Sequence, residues 1–444
     1  MTPPAASVVA TPRAVIRMYV VLTLGNTLAA SFIWGINTIF LLDAGLSNTQ
    51  AFAANAFFTA GMVLFEVPTG VTADTVGRRA SYLLGTVTLA TTTVMYVLLW
   101  RTHGPFWAWA VVSLLLGLGF TFFSGAVEAW LVDALHATGY SGSLDAVFAR
   151  GQIASGIAML TGSVLGGYLA QVTNLGVPYV VRAAVLVVMF AVAWFLMQDI
   201  GFTPTRSTGV ISEMRTIVGA SLQFGWRVPP VKWLMLSDPF LSGVSIYAFY
   251  ALQPYLLKLY GNPHAYGIAG LVAAITAAAQ ITGGLLAPRV RRAFGRRTTA
   301  LLVAVSVGAA ALVVIGLVRT FWVAIGCIVV WGLVSAASMP IRQAYMNGMI
   351  PSQQRATILS FDSMLGSAGG VVVQPALGKS ADMWSYGTSY VIAGAVSALA
   401  LPFLALSRRE HAAADTPLAE TVPRAASRLI GPNPRRGSRR DRQA

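Results

Sequence analysis

Apolar runs of about twenty residues recur along the chain, separated by short polar seams. One seam reads GVTADTVGRR, Gly70 to Arg79, between the runs AFAANAFFTAGMVLF and YLLGTVTLATTTVMYVLLW. Twenty residues at a rise of about 1.5 Å each cross the hydrocarbon core of a bilayer, so each run reads as a membrane-spanning helix. The pattern predicts spans at 17–41, 50–70, 81–100, 107–132, 151–171, 179–197, 231–257, 265–286, 299–317, 322–347, 356–376 and 387–406.

Composition fits this reading. Of 444 residues 56% are hydrophobic and 10% charged, against about 25% charged in soluble proteins. A soluble domain of this size has no place to hide so much apolar surface. Arg13 and Arg17 precede a first run too long for a cleavable signal, so that run reads as a retained helix. The single cysteine, Cys327, lies in an apolar run, which excludes an intrachain disulfide and a cysteine metal cluster.

Twelve spans put both termini on one side. With the N-terminus inside, 25 of the 30 Lys and Arg fall on inner segments, the others being Arg101, Arg182, Lys258, Arg319 and Lys379. That asymmetry follows the positive-inside rule. It accounts for the net charge of +15 without a nucleic-acid partner. The chain divides into an N-terminal tail (1–16), a six-helix bundle (17–197), a cytoplasmic linker (198–230), a second bundle (231–406) and a basic tail (407–444). The linker includes a surface helix expected near Ile211–Gln223. The tail carries nine arginines and no apolar periodicity, and reads as disordered. A solvated tail that helps fix topology is the simpler account of it, with binding of anionic lipid the alternative.

The seam repeats. GLLAPRVRRAFGRRTTA, Gly284 to Ala300, also follows the second span of its half, begins with Gly and contains Gly-Arg-Arg. One half therefore reads as a diverged copy of the other in the same orientation, a known transporter architecture. The G-x-x-x-D-x-x-G-R-R pattern at Gly70, Asp74, Gly77, Arg78 and Arg79, preceded by Glu66-Val-Pro-Thr, resembles the signature loop of the major facilitator superfamily. SGAVEAWLVD (Ser124–Asp133) and PSQQRAT (Pro351–Thr357) resemble segments of its bacterial drug- and metabolite-exporting members. The resemblance covers residues 15–406. It implies an all-α integral membrane fold of twelve helices in two parallel repeats, working as a monomer in the bacterial inner membrane.

It also implies roles. Gly70 would allow close helix approach, Asp74 would face span eleven when the inner side is shut, and Arg78 would bridge Asp74 to Asp133. In physical terms these are paired charges at a dry interface, released when water enters. Arg79 belongs to the same seam. Gly284, Gly295, Arg296, Arg297, Arg355 and Asp362 complete the expected cytoplasmic gate in the second half.

Ionisable residues inside spans are costly and mark function. Beyond the gate these are Glu66, Glu128, Arg150, Asp238 and Arg342, with Arg182 at the outer end of span six. No acid lies in span one, where many proton-coupled exporters of the family carry one. Glu128 precedes Asp133 by five residues, about 140° around a helix, so the two occupy different faces. Matching span four to span ten sets Glu128 opposite Arg342, and the pair is expected to face across the cavity, as a coupling site or a structural ion pair. In span five, Ala158, Ser163, Gly166 and Gly167 match only part of the antiporter glycine-proline pattern, and close helix packing explains the small residues as well.

The central lining is expected from Asn26, Trp34, Asn37, Tyr247, Tyr250, Gln253, Gln280, Ser335 and Trp331. Aromatics with a few amides suit an amphipathic organic molecule. VQPALGKS (Val373–Ser380) lacks the first glycine and the preceding strand of a phosphate loop. His103, His136, His264 and His411 are scattered, and no HExxH or GxSxG occurs. The chain thus reads as no enzyme, with no cofactor or metal, and with a proton gradient as its energy source. Proton-driven export of a small amphipathic compound is the leading expectation. An uncoupled facilitator or importer, or a non-transporting sensor or scaffold, stands beside it.

Overall fold

A computed structural model describes residues 11–123, 125–204, 219, 226–351 and 355–415. The surface helix expected at 211–223 and residues 416–444 of the basic tail lie outside the described residues, apart from Gly219. The first half contains α1 (Pro12–Trp34), α2 (Asn37–Asp43), α3 (Asn48–Thr75), α4 (Arg78–Thr102), α5 (Phe106–Thr121), α6 (Ala126–Ala137), α7 (Leu144–Val172) and α8 (Val177–Leu196). The second contains α9 (Pro229–Tyr260), α10 (Tyr266–Ala293), α11 (Arg297–Leu317), α12 (Phe321–Asn347), α13 (Arg355–Met383), α14 (Tyr386–Ala398) and α15 (Ala400–Arg409).

The packing repeats. Helix α1 lies on α7, α3 on α5 and α4 on α8; in the second half α9 lies on α13, α10 on α12 and α11 on α14. The halves meet along two seams, α3 with α13 and α7 with α10. Small residues set the spacing at these seams. A Cβ on Gly166 would meet the Phe32 carbonyl of α1, and one on Gly167 would fall 2.8 Å from Gly270 Cα of α10. The small residues of α7 are therefore a two-sided packing surface.

Among the described residues eleven helical segments are long and apolar enough to cross a membrane. Helix α13 has the length, 29 residues, but Asp362, Lys379 and Asp382 make it more polar. The helices outrun the hydrophobic pattern at many ends, because backbone bonding continues past the last apolar residue. Three expected spans are not continuous, the twelfth being broken only at Leu399 between α14 and α15. The first turns at Gly35–Ile36 between α1 and α2. The fourth leaves the helix at Phe122 and Phe123, and Gly125, just before α6, takes φ +70°. Ser81 Oγ donates to the freed Phe122 carbonyl at 2.9 Å, the kind of side-chain rescue that makes an opened helix tolerable in lipid.

Each half is tied shut at the end where α3, α6, α8, α10 and α12 finish, hereafter the basic end. Gly77 at φ +130° starts α4, and a Cβ there would collide with Asp199. Asp199 Oδ1, from the chain after α8, accepts the Arg79 N–H at 2.8 Å. Arg79 Nη2 in turn donates to the Trp194 carbonyl at 2.6 Å. The second half repeats the device. Asp415 accepts from Thr298 N at 2.7 Å and from Thr298 Oγ1 at 2.8 Å, and Arg297 donates to the Ala414 carbonyl. Each aspartate caps the first turn of the bundle's third span from the far end of that bundle, where free N–H groups and the helix dipole both favour a carboxylate.

Removal of a cap of this kind costs about 0.5–2 kcal/mol. Asp415→Ala is expected to lower the melting temperature of the purified protein in detergent, and Asp415→Asn to retain most of it. An unchanged melting temperature for Asp415→Ala would show that the tie contributes nothing.

Candidate functional site

The signature loop forms a charge network. Arg78 Nη1 lies 2.5 Å from Asp74 Oδ1, and Arg78 Nε lies 3.9 Å from Asp133 Oδ2 on α6. Asp74 is one helical turn from Arg78 across the α3–α4 turn, so the first contact is local. The second joins α4 to α6. The Arg78 guanidinium also stands over the Phe202 ring at 5.9 Å. Arg79 does not join them. It is bound to Trp194 and lies 5.3 Å from that ring, so its place in the expected gate is corrected to that of a tie within its own bundle. Arg297 is the corresponding tie in the second half. Gly295 and Arg296 lie in the connection before α11, and exposed Arg355 donates to the Asn347 carbonyl at 3.3 Å.

Contacts between the bundles are unevenly distributed. At the end away from the basic loops, Asp382 accepts from Asn48 N and Nδ2 at 3.0 and 2.8 Å, and from Thr49 N and Oγ1 at 2.8 and 2.6 Å. Gln253 Oε1 accepts from Thr38 N at 2.9 Å, and its Nε2 donates to the Trp34 carbonyl at 2.5 Å. Nearer mid-depth, Gln374 Nε2 donates to Thr59 Oγ1 at 3.3 Å. These bonds between the bundles all lie at mid-depth or toward the end away from the basic loops. Gly70 and Gly284, expected to permit close helix approach there, would meet nothing within 4 Å if given a Cβ. The bundles are tied by hydrogen bonds at the end away from the basic loops, while Gly70 and Gly284 at the basic end face open space.

A second network lies inside the second bundle. Arg342 of α12 makes a two-pronged contact with Asp362 of α13, at 2.6 and 2.7 Å, and reaches Asp238 of α9 at 3.3 Å. Ser242 Oγ donates to Asp238 at 2.9 Å. Gly366 makes the space, since a Cβ there would overlap the Asp238 carboxylate. The expected pairing of Glu128 with Arg342 is therefore corrected. Both Nη atoms of Arg342 are taken by aspartates of its own bundle. A guanidinium withdrawn from water needs its counter-charge within contact distance, and the far wall of a cavity is too distant. Asp362, assigned to the gate, is 5% exposed and belongs to this cluster.

Glu128 is exposed, in the first turn of α6 just past the break in span four. Glu66 of α3 and Arg150 of α7 are also exposed. The expected lining divides. Tyr247 is fully buried against Phe52 and shares a hydrogen bond with Ser389, and Trp331 is 5% exposed in the second bundle's core. These two pack and do not line. Asn26 accepts from Tyr82 within the first bundle at 2.8 Å. Asn37 accepts from Tyr179 and donates to Asn55, both at 3.0 Å. Trp34 and Gln253 form the lock described above. Tyr250 and Ser335 are half-buried, and Gln280 is exposed. Sequence reasoning missed Asp199, Asp382 and Asp415. Each acts on a residue more than 100 positions away, and nothing local marks an acid as a distant cap.

The fold is shared with solved transporters. It superposes on the nucleoside transporter NupG with a TM-score of 0.74 at 12% identity, covering 88% of this chain and 98% of that one. A bacterial homolog of the human lysosomal transporter Spinster, inward-facing and unoccupied, aligns with a TM-score of 0.68 at 14% identity, covering 91% and 98%. A D-xylose-proton symporter aligns with a TM-score of 0.66 at 15% identity, covering 88% and 96%. No curated protein sequence matches the chain. The Major Facilitator Superfamily profile matches residues 19–292 and again 239–437, so nearly the whole chain is accounted for. With two like bundles, a signature loop closed by its own ion pairs and that match, the chain belongs to the Major Facilitator Superfamily and is a membrane transporter.

Proposed function

We propose that the protein has twelve spans with both termini in the cytoplasm of a bacterial cell, and that it exports a small amphipathic organic compound by alternating access in exchange for protons. The observation that carries alternating access is the asymmetry between the two ends. Asp382, Gln253 and Gln374 hold the bundles together at one end. At the other, Gly70 and Gly284 stand clear of any neighbour. Closing the basic end would bring these glycines and the Asp74–Arg78–Asp133 network against the second bundle, while the Asp382 cap on α3 came apart. Charge pairs suit this use, since water restores much of the interaction energy when they separate.

Two places could carry the proton. Glu128 is exposed at a helix break. The Asp238–Arg342–Asp362 cluster holds two carboxylates for one guanidinium, so one added proton would neutralise it. We favour Glu128, because Arg342 already satisfies both aspartates at short range.

Orientation is checked by cysteine labelling in a Cys327→Ala background. Cysteines placed at His103 or Asn262 are expected to react with an impermeant reagent from outside the cell, and one at Ser141 to stay protected. Labelling of Ser141 from outside would reverse the topology.

Asp74→Asn and Arg78→Ala are each expected to cut transport at least about tenfold, a loss of roughly 1.4 kcal/mol or more, with surface expression retained. Their effects should be non-additive, as for any coupled pair. Normal transport by either variant, in vesicles loaded with a panel of amphipathic compounds, removes the gate role.

Glu128→Gln mimics the protonated acid with the shape kept. It is expected to abolish uphill, pH-driven accumulation while leaving exchange without a gradient nearly intact. If accumulation and its pH profile survive in Glu128→Gln and fail in Asp238→Asn, the coupling proton belongs to the second bundle.

A further inference from the structure

Arg182 of α8 takes no part in the networks above. It is 2% exposed, and among the described residues no carboxylate lies within ion-pair range of it. Its Nε is buried with no hydrogen-bond partner. The guanidinium lies 5.8 Å from the centre of the Phe120 ring of α5. The titratable groups around it are phenols, Tyr179, Tyr96 and Tyr250. Tyr250 comes from α9, so the surroundings of Arg182 include both bundles. Phe120 and Tyr250 are the half-buried members of the set.

The polar side chains beyond Tyr179 are also rich in unused donors. Tyr179 donates to Asn37, and Asn37 donates to Asn55. Asn55 Nδ2 and Thr38 Oγ1 are then buried without partners. An arginine carries five N–H donors and no acceptor. A buried cation with neutral neighbours and leftover donors lacks one thing, a compact negative charge with several lone pairs. Contact with an aromatic face contributes only about 0.5–2 kcal/mol, well short of the several kcal/mol that burial of an ion costs. Arg342 also leaves its Nε without a partner but holds two aspartates, so the missing counter-charge is what sets Arg182 apart.

We propose that Arg182 binds the anionic group of the substrate, a carboxylate or similar monoanion, with the aromatic rings of Phe120 and Tyr250 against the apolar part. The substrate class is then an amphipathic organic anion. This deepens the transport reading and rests on it for the word substrate, but the binding site stands apart from any gradient.

The test is binding to the purified full-length protein in chloride-free buffer, with three probes on one ring system: naphthoate, naphthamide and naphthylmethylammonium. Wild type is expected to prefer naphthoate over the other two by at least about tenfold, the scale of a hydrogen bond to a charged group. Arg182→Met should abolish that preference, and Arg182→Lys should keep part of it. Arg182→Met should also melt no lower than wild type, because a cation held for a ligand weakens the empty fold. Equal binding of the three probes by wild type, or a naphthoate preference that survives Arg182→Met, overturns the proposal. If Arg182→Met fails to fold, the wild-type preference and its reduction in Arg182→Lys decide the matter. Preference for naphthoate with no gradient-driven movement of any probe keeps the site and removes the transport reading. Gradient-driven movement of the amide or ammonium, unchanged in Arg182→Met and without naphthoate preference, does the reverse.

Discussion

A guanidinium withdrawn from water needs its counter-charge within a few ångströms, and much of this molecule's organisation follows from how that need is met. Arg342 meets it with Asp362 and Asp238, and the contact draws α9, α12 and α13 together inside one bundle. Arg78 meets it at the bundle edge, with one carboxylate close and another at 3.9 Å. Arg79 and Arg297 use the carbonyl oxygens near a bundle's last helix instead. The buried contact is costly to break and reads as architecture. The edge contact, already half in water, can be traded for another partner at little cost.

The same constraint separates what was legible in the sequence from what was not. Spans were legible because hydrocarbon leaves the backbone few choices, and a run of twenty apolar residues commits to a helix. The Arg78 network was legible because its spacing is local on one side and repeated from family members on the other. The partner of Arg342 was not. Sequence gives a helix's phase only approximately, and an error of one residue turns a side chain by about 100°, from the cavity into the bundle. Tyr247 and Trp331 were placed on the lining for a related reason: an aromatic at helical spacing packs as readily as it lines. The turn at Phe122, Phe123 and Gly125 was hidden by the ordinariness of glycine in membrane helices. Ser81, some forty residues away, takes up the freed Phe122 carbonyl there.

The repeat is more faithful in three dimensions than in sequence. The two signature seams differ in length and in the presence of Asp74, and only Gly77 of the paired glycines takes a positive φ. Yet Asp199 and Asp415 make the same bond, to the second residue of the third span in their own half. Each tie joins the middle of a bundle to its end. A bundle closed in this way resists shear between its helices, so on the alternating-access reading motion falls to the seams between bundles, where glycines and amides meet.

Arg182 carries a further consequence. A charge fixed inside a membrane protein feels the membrane voltage in proportion to how far water penetrates from each side. With the basic end parted, the drop in potential falls mainly across the locked end; with that end parted instead, it falls on the other side of the same residue. On the alternating-access reading, the arginine need not move to do electrical work, because the field moves past it. The full effect is about 2.3 kcal/mol per elementary charge per 100 mV. On that reading voltage biases which end of the empty carrier stands open, and an anion seated on Arg182 would cancel that bias.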